Sequence, residues 1–482
     1  VTGGEIEGGS GPAVQALDRA TLSLTGVTLR NGSYPVQIQP NVVLSVLSGN
    51  TASGYAADRN GVAVEGGLMG SSGGVQSRTW PGGNLPYVVL GDLTVRGDAN
   101  TVSDRTSTLV IPGPTEVRFN AGAGLAIGRD SGQHEGFAGR LQATGVTFRG
   151  NTEVPSPGFW KGITFTDTTT GGGQTFLDAS AVEDAGGNGA LAAVVVNATS
   201  LVLRNGTSVR RTASTGLHLT ASTDSSATVT GGAVEGGSGP AVQALDRSTL
   251  GLTGVALSGG PYPVRMQPNV VLSALSGNTA SGYPQDRNGV AVEGGLMGSN
   301  GGIQSRTWPG GDLPYIVLSD LAVRGNADTV SDRTSTLTIG AGLPAEVRFD
   351  AGAGLTIGQD TGAHEGFAGK LLATAVTFKG NTPVPAAGSW DGIYFANTAT
   401  EGGLVLDACA VEGAGGAGTN GAVAVNATSL VLRNGTAIRA TGNVGLWLSA
   451  STATVVTVTG GEIEGGSGPA VQALDRATLS LT

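Results

Sequence analysis

The chain has 482 residues with a formal net charge of −10; 84 are glycine, 13% are charged and only 5% are aromatic. An acidic balance argues against nucleic acid and anionic membranes as partners, because both require a net basic face, and the single cysteine, Cys409, excludes an intrachain disulfide and a cysteine-based zinc site. With few large rings available, packing falls to Val, Leu, Ile, Ala and Thr. No run approaches the ~20 apolar residues of a membrane helix, so no membrane insertion is expected in this segment.

From the first residue the chain repeats itself. Residues 1–25, VTGGEIEGGSGPAVQALDRATLSLT, return from Val229 with small changes and from Val458 with none. The expected organisation is one repeat unit over 1–228, a second over 229–457 and the start of a third at 458–482, forming one continuous solenoid cut from a longer array. The offset between copies drifts from 228 at Trp80/Trp308 to 230 at Trp160/Trp390, which places small insertions in surface loops.

Within the first unit, short alternating runs follow in order at Val14-Gln15-Ala16, Val36-Gln37-Ile38, Val62-Ala63-Val64, Val88-Val89-Leu90, Leu125-Ala126-Ile127, Ile163-Thr164-Phe165, Val194-Val195-Val196 and Leu217-His218-Leu219, and restart at Val242. Period two, β-branched residues and closure by Gly, Asn, Asp or Pro predict strands bounded by turns. Asn-Gly pairs at Asn31, Asn205 and Asn434 supply left-handed turn positions, and Gly259-Gly260 replaces the first of them in its copy. Runs spaced by 22–26 residues at the closest fit one rung of a coil whose strands pair with their counterparts above and below. The fold class expected is therefore all-β, a right-handed parallel β-helix (β-solenoid) with about eight rungs per repeat.

The passages Thr108-Leu109-Val110-Ile111, Val117-Arg118-Phe119, Gly124-Leu125-Ala126-Ile127, Gly158-Phe159-Trp160-Lys161-Gly162-Ile163-Thr164-Phe165 and Ser200-Leu201-Val202-Leu203-Arg204-Asn205-Gly206 resemble the right-handed parallel β-helix repeats of large exported bacterial surface proteins. That fold group includes adhesin shafts, phage tailspikes and polysaccharide lyases, so the resemblance implies an architecture and leaves activity open.

Chemistry-bearing residues are few. His134-Glu135 and His364-Glu365 recur in matching Gly-rich insertions beside Asp130 and Asp360, where a general base or a metal ligand is conceivable and a solvated loop is the favoured reading. Arg78 with Trp80, and Arg306 with Trp308, place a cation and a ring beside Gly-rich backbone; such a pair stacks on sugars, although a ring capping a rung is favoured here too. Asp58-Arg59-Asn60 and Asp286-Arg287-Asn288 read as turns or local ion pairs, as do Asp104-Arg105 and Asp332-Arg333. His218 aligns with Trp447, and Cys409 with Ser180, so neither is needed as a nucleophile or ligand. Trp160 and Trp390 are expected to pack. Neither a calcium-binding nonapeptide ladder nor a phosphate loop is present in the sequence, and no cofactor is expected.

The expected function is a structural component of an extracellular or cell-surface fibre, such as an adhesin shaft, and not an enzyme. Its partners would be neighbouring repeats of the same protein, end-to-end copies and surface glycans. The alternative is a polysaccharide-binding or polysaccharide-cleaving protein of lyase or tailspike type. In the first reading near-identical copies add length, about 38 Å for eight rungs at ~4.8 Å each, without adding a new site.

Overall fold

The computed structural model describes residues 1–71, 76–97, 105–130, 137–298, 305–325, 334–360, 367–384, 386–400, 403–416 and 418–482. Their regular structure is short strands joined by turns, with no helix among the described residues. The chain divides into two compact units, Val1–Gln243 with Gly254–Pro261, and Ala244–Thr253 with Tyr262–Thr482.

In the first unit every strand pairing is parallel, and a strand generally meets the third strand along the chain. Val14–Ala16 pairs with Val36–Ile38, which pairs with Val62–Val64, then Tyr87–Val89, Thr115–Phe119 and Val146–Gly150. Parallel neighbours need a crossover connection, and here the other strands of each turn provide it. The fold is a parallel β-helix, and the right hand is the one that strand twist favours for parallel crossovers.

Registration aligns like with like. The column Val36, Val62, Tyr87, Val117, Phe148, Val182, Val209, Val234 and Leu257 runs through the unit with each side chain no more than 1% exposed. Alternation explains it: in Thr106–Ile111 every second residue is buried and its neighbours are not, as period-two side chains require. Burying each such aliphatic side chain contributes about 1.5–3 kcal/mol.

Turns use the residues that tolerate left-handed backbone. Asn31 and Asn205 have φ of 56° and 54°, and the glycine pair that replaces Asn31-Gly32 in the next copy has 68° and 71°. The Asn205 amide also donates to Asp178 Oδ1 on the preceding turn at 2.7 Å. Buried threonines close other corners: Thr207 Oγ1 donates to the Leu177 carbonyl at 2.9 Å, and Thr436 Oγ1 to that of Leu406 at 2.8 Å.

One turn of the first unit carries four strands. After Thr51–Ser53 the chain forms Val62–Val64, Gly67–Ser71 and Ser77–Thr79. The short sheet of Glu5–Glu7, Thr28–Arg30 and Thr51–Ser53 stops there, and a new sheet opens with Gly67–Ser71 and Leu93–Gly97. Eight pairing steps along the column from Val14–Ala16 consequently arrive at Ala233–Glu235, the sequence copy of Glu5–Glu7. The repeat thus comprises about eight turns, with one strand over.

The second unit is built the same way. Its column Val264, Val290, Tyr315, Val347, Phe378, Val411, Ile438 and Ile463 is parallel and in register. Its four-strand turn places Gly295–Met297 and Ser305–Trp308 after Val290–Val292.

Candidate functional site

The tryptophan and arginine candidates lie at the four-strand turns, inside the coil. Trp80 and Trp308 are 2% and 1% exposed and stack on Tyr87 and Tyr315 at 4.7 Å between ring centroids. Each tyrosine hydroxyl donates to a carbonyl, that of Pro81 or Pro309, at 2.9 Å. No ring face is left for a sugar. Arg78 and Arg306 are equally buried. Arg78 Nε donates to the Asn41 carbonyl at 3.3 Å; Arg306 donates to the carbonyls of Asn269 and Gly298 and, at 3.2 Å, to Asn269 Oδ1. Burial pulls the Arg306 guanidinium down to about 10, with nearby Asp246 opposing, so it stays charged at neutral pH. These side chains fasten the turn where one sheet ends and another begins, and the sugar-stacking expectation for Arg78, Trp80, Arg306 and Trp308 gives way to an interior role.

His134, Glu135, His364 and Glu365 lie outside the described residues, as do Asp104, Asp332 and Arg333. Asp58 and Asp286 mark loops laid across the coil: the amides of Asn151 and Asn381 donate to their backbone carbonyls at 2.8 Å. Trp160 and Trp390 are fully buried, stacked on Phe119 and Phe349 at 4.0 and 4.2 Å, and each indole donates to the carbonyl of a glutamate, Glu183 or Glu412. The Cys409 thiol is buried and pushed up to about 11 by desolvation, which leaves no thiolate at neutral pH. His218 sits opposite in parity to the core residues Leu217 and Leu219, yet it is covered, 6% exposed, and burial lowers its pKa against the hydrogen bond with Gln243. Among the described residues no three His, Cys, Asp or Glu side chains group as metal ligands do.

The surface feature with converging chemistry is a groove of about 580 Å³ on the second unit, lined by Asp320, Arg324, Thr356, Asp391, Tyr394 and Asn420 among others. It runs across the strands Gly295–Met297, Leu321–Val323, Gly354–Ile357, Gly392–Phe395 and Gly421–Val425, whose outward row reads Leu296, Ala322, Thr356, Tyr394, Ala424 and then Trp447. Asp320 and Asp391 enter from turns two rungs apart, one on each side of Gly354, with the Asp391 carboxylate turned toward Gly416, where a Cβ would stand 2.7 Å from its Oδ1. A Cβ on Gly354 would stand 3.2 Å from Asp391 Cβ and 3.7 Å from Asp320 Oδ1. Asp320 Oδ1 accepts the Gly354 amide at 3.0 Å, whereas burial and the charge of Asp320 together raise Asp391 from its ordinary 3.8. The Tyr394 hydroxyl donates to Asp360, which also accepts from the Asn426 amide at 2.9 Å, so the ring is anchored at its far end. Arg324 lies 5.0 Å over the Phe367 ring.

Sequence reading missed this groove. Its signal was the substitution pattern between copies: W-K-G-I-T-F at 160–165 becomes W-D-G-I-Y-F at 390–395, exchanging a cation for an acid and a threonine for a ring on one outward face. No protein-family model, curated protein or solved structure matches the chain.

Proposed function

We propose that the chain is a structural component of an extracellular or cell-surface fibre built from tandem copies of this coil, of the adhesin-shaft kind, and that it turns over no substrate. The observation that supports this most is the in-register column of buried aliphatic and aromatic side chains in each unit. In such a coil each added turn brings its own backbone ladder and its own buried layer, so length accrues without loss of stability. The repeat then serves to extend, and its partners are neighbouring copies of itself, with surface glycans met by outward residues.

The test is location and form on the producing cell. Antibodies raised against the 482-residue chain should decorate filaments on intact cells by immunogold electron microscopy. Labelling that appears only after lysis, or on no extended object, overturns the proposal.

A further inference from the structure

The two copies of the repeat differ most tellingly at the Gly354 cradle. In the first unit the equivalent glycine is Gly124, and a Cβ there would stand 3.2 Å from Lys161 Cβ, 3.3 Å from Lys161 Cδ and 3.5 Å from Asp92 Oδ1. The Lys161 ammonium lies 2.6 Å from Asp92 Oδ2. Asp92 matches Asp320, and Lys161 matches Asp391. The first unit therefore fills its own cradle with an ammonium group, while the second removes the lysine and puts a second carboxylate in its place. The Asp391 carboxylate accepts no hydrogen bond from the described residues, and Arg324 pairs with the Gly325 carbonyl and the Phe367 ring instead. The outward row changes in the same direction: Thr164, Val195 and His218 in the first unit become Tyr394, Ala424 and Trp447 in the second. Tyr394 and Trp447 stand two inter-strand spacings apart, about 9–10 Å, with the small Ala424 between them.

We propose that this groove of the second unit binds an oligosaccharide carrying free amino groups, with an ammonium held between Asp320 and Asp391 and sugar rings laid along Tyr394 toward Trp447. An ammonium has three donors and no acceptor, which suits two carboxylates lining one groove. Aromatic faces in a row, flanked by the hydroxyls and amide of Thr356, Thr419 and Asn420, suit flat rings rich in hydroxyl groups better than a flexible peptide. The proposal is independent of the scaffold reading, since the groove would bind its ligand wherever the protein resides.

Calorimetry on the full chain at about pH 6, where sugar amines are charged, tests it with three probes: the glucosamine trisaccharide, its N-acetylated counterpart and trilysine. The glucosamine trimer should bind about tenfold or more tighter than the acetylated one, the scale of a charge-assisted hydrogen bond. Asp391→Lys, which installs the first unit's residue, should abolish binding while leaving the thermal melt unchanged. Tyr394→Thr, the corresponding exchange at the ring, should weaken binding several-fold and gives a second reading if the first variant folds poorly. Equal binding of the acetylated trimer, trilysine binding as tightly as the sugar, undiminished binding by a folded Asp391→Lys, or no detectable heat at millimolar concentrations would each overturn the proposal.

Discussion

At the scale of single residues, the coil depends on backbone that few side chains accept. Ala375 has φ of 53° where the first copy has Gly145 at 62°. A left-handed alanine costs about 1–2 kcal/mol, of which the extra backbone entropy of glycine takes back about 0.5–1. Ala375→Gly should therefore raise the unfolding free energy by about 0.5–1 kcal/mol in chemical denaturation. Arg306 acts in the opposite sense. Its truncation to alanine strands the carbonyls of Asn269 and Gly298 at about 1–3 kcal/mol for a buried unsatisfied group; a loss of about 3 kcal/mol is expected, and Arg306→Lys should recover only part because one ammonium cannot span both sites. These roles were only half legible. The run Gln304-Ser305-Arg306-Thr307-Trp308 shows a cation and a ring beside Gly-rich backbone, and nothing local reveals that Tyr315, from the next strand, covers the ring.

At the scale of elements, strand type was plain and strand partnership was not. Period-two runs closed by Gly and Asn announce strands, and nearly all of them form. The spacing does not say which strand of the next turn receives each one. Val88 pairs with Arg118, whereas Leu125 pairs with Leu93 and Ile163, so the step from Val88 to Leu125 in the sequence pattern crosses from one sheet to another. The cause is the four-strand turn, which is encoded by burial around Arg78 and Trp80. The Asp320 and Asp391 pair escaped for a related reason: two acids on separate rungs become neighbours only once stacking brings both to Gly354. Between successive turns, the stacked Phe119 and Trp160 rings seal the first unit's interior. Trp160→Ala should cost about 3–5 kcal/mol, read as an earlier melt by circular dichroism; a change under about 1 kcal/mol would show that the column tolerates the void.

For the whole molecule, pH is the informative variable. Burial pushes Glu116 upward, but hydrogen bonds and charge from Arg118 and Arg149 outweigh it and hold the carboxyl below its ordinary 4.5; Arg348 and Lys379 do the same for Glu346. Asp178 is held below 3.8 by Asn205 and Arg204, and Asp407 by Asn434 and Arg433. A depressed carboxyl stabilises the fold above its unfolded pKa, and that contribution disappears as pH falls through the folded value. Melting temperature should accordingly begin to fall below about 6.5, where the buried His218, held below its unfolded value, must take up a proton, and decline further below about 4.5, and Glu116→Gln should lower the neutral plateau and flatten the lower decline; a melt that improves on acidification would contradict these assignments. The position of the one thiol has a practical consequence. Cys409 is 3% exposed in the second unit, and the first unit has Ser180 in the matching place. A maleimide can react only when that stretch of the coil breathes open, so the labelling rate is an intrinsic clock for fraying in one copy while its near-twin stays silent.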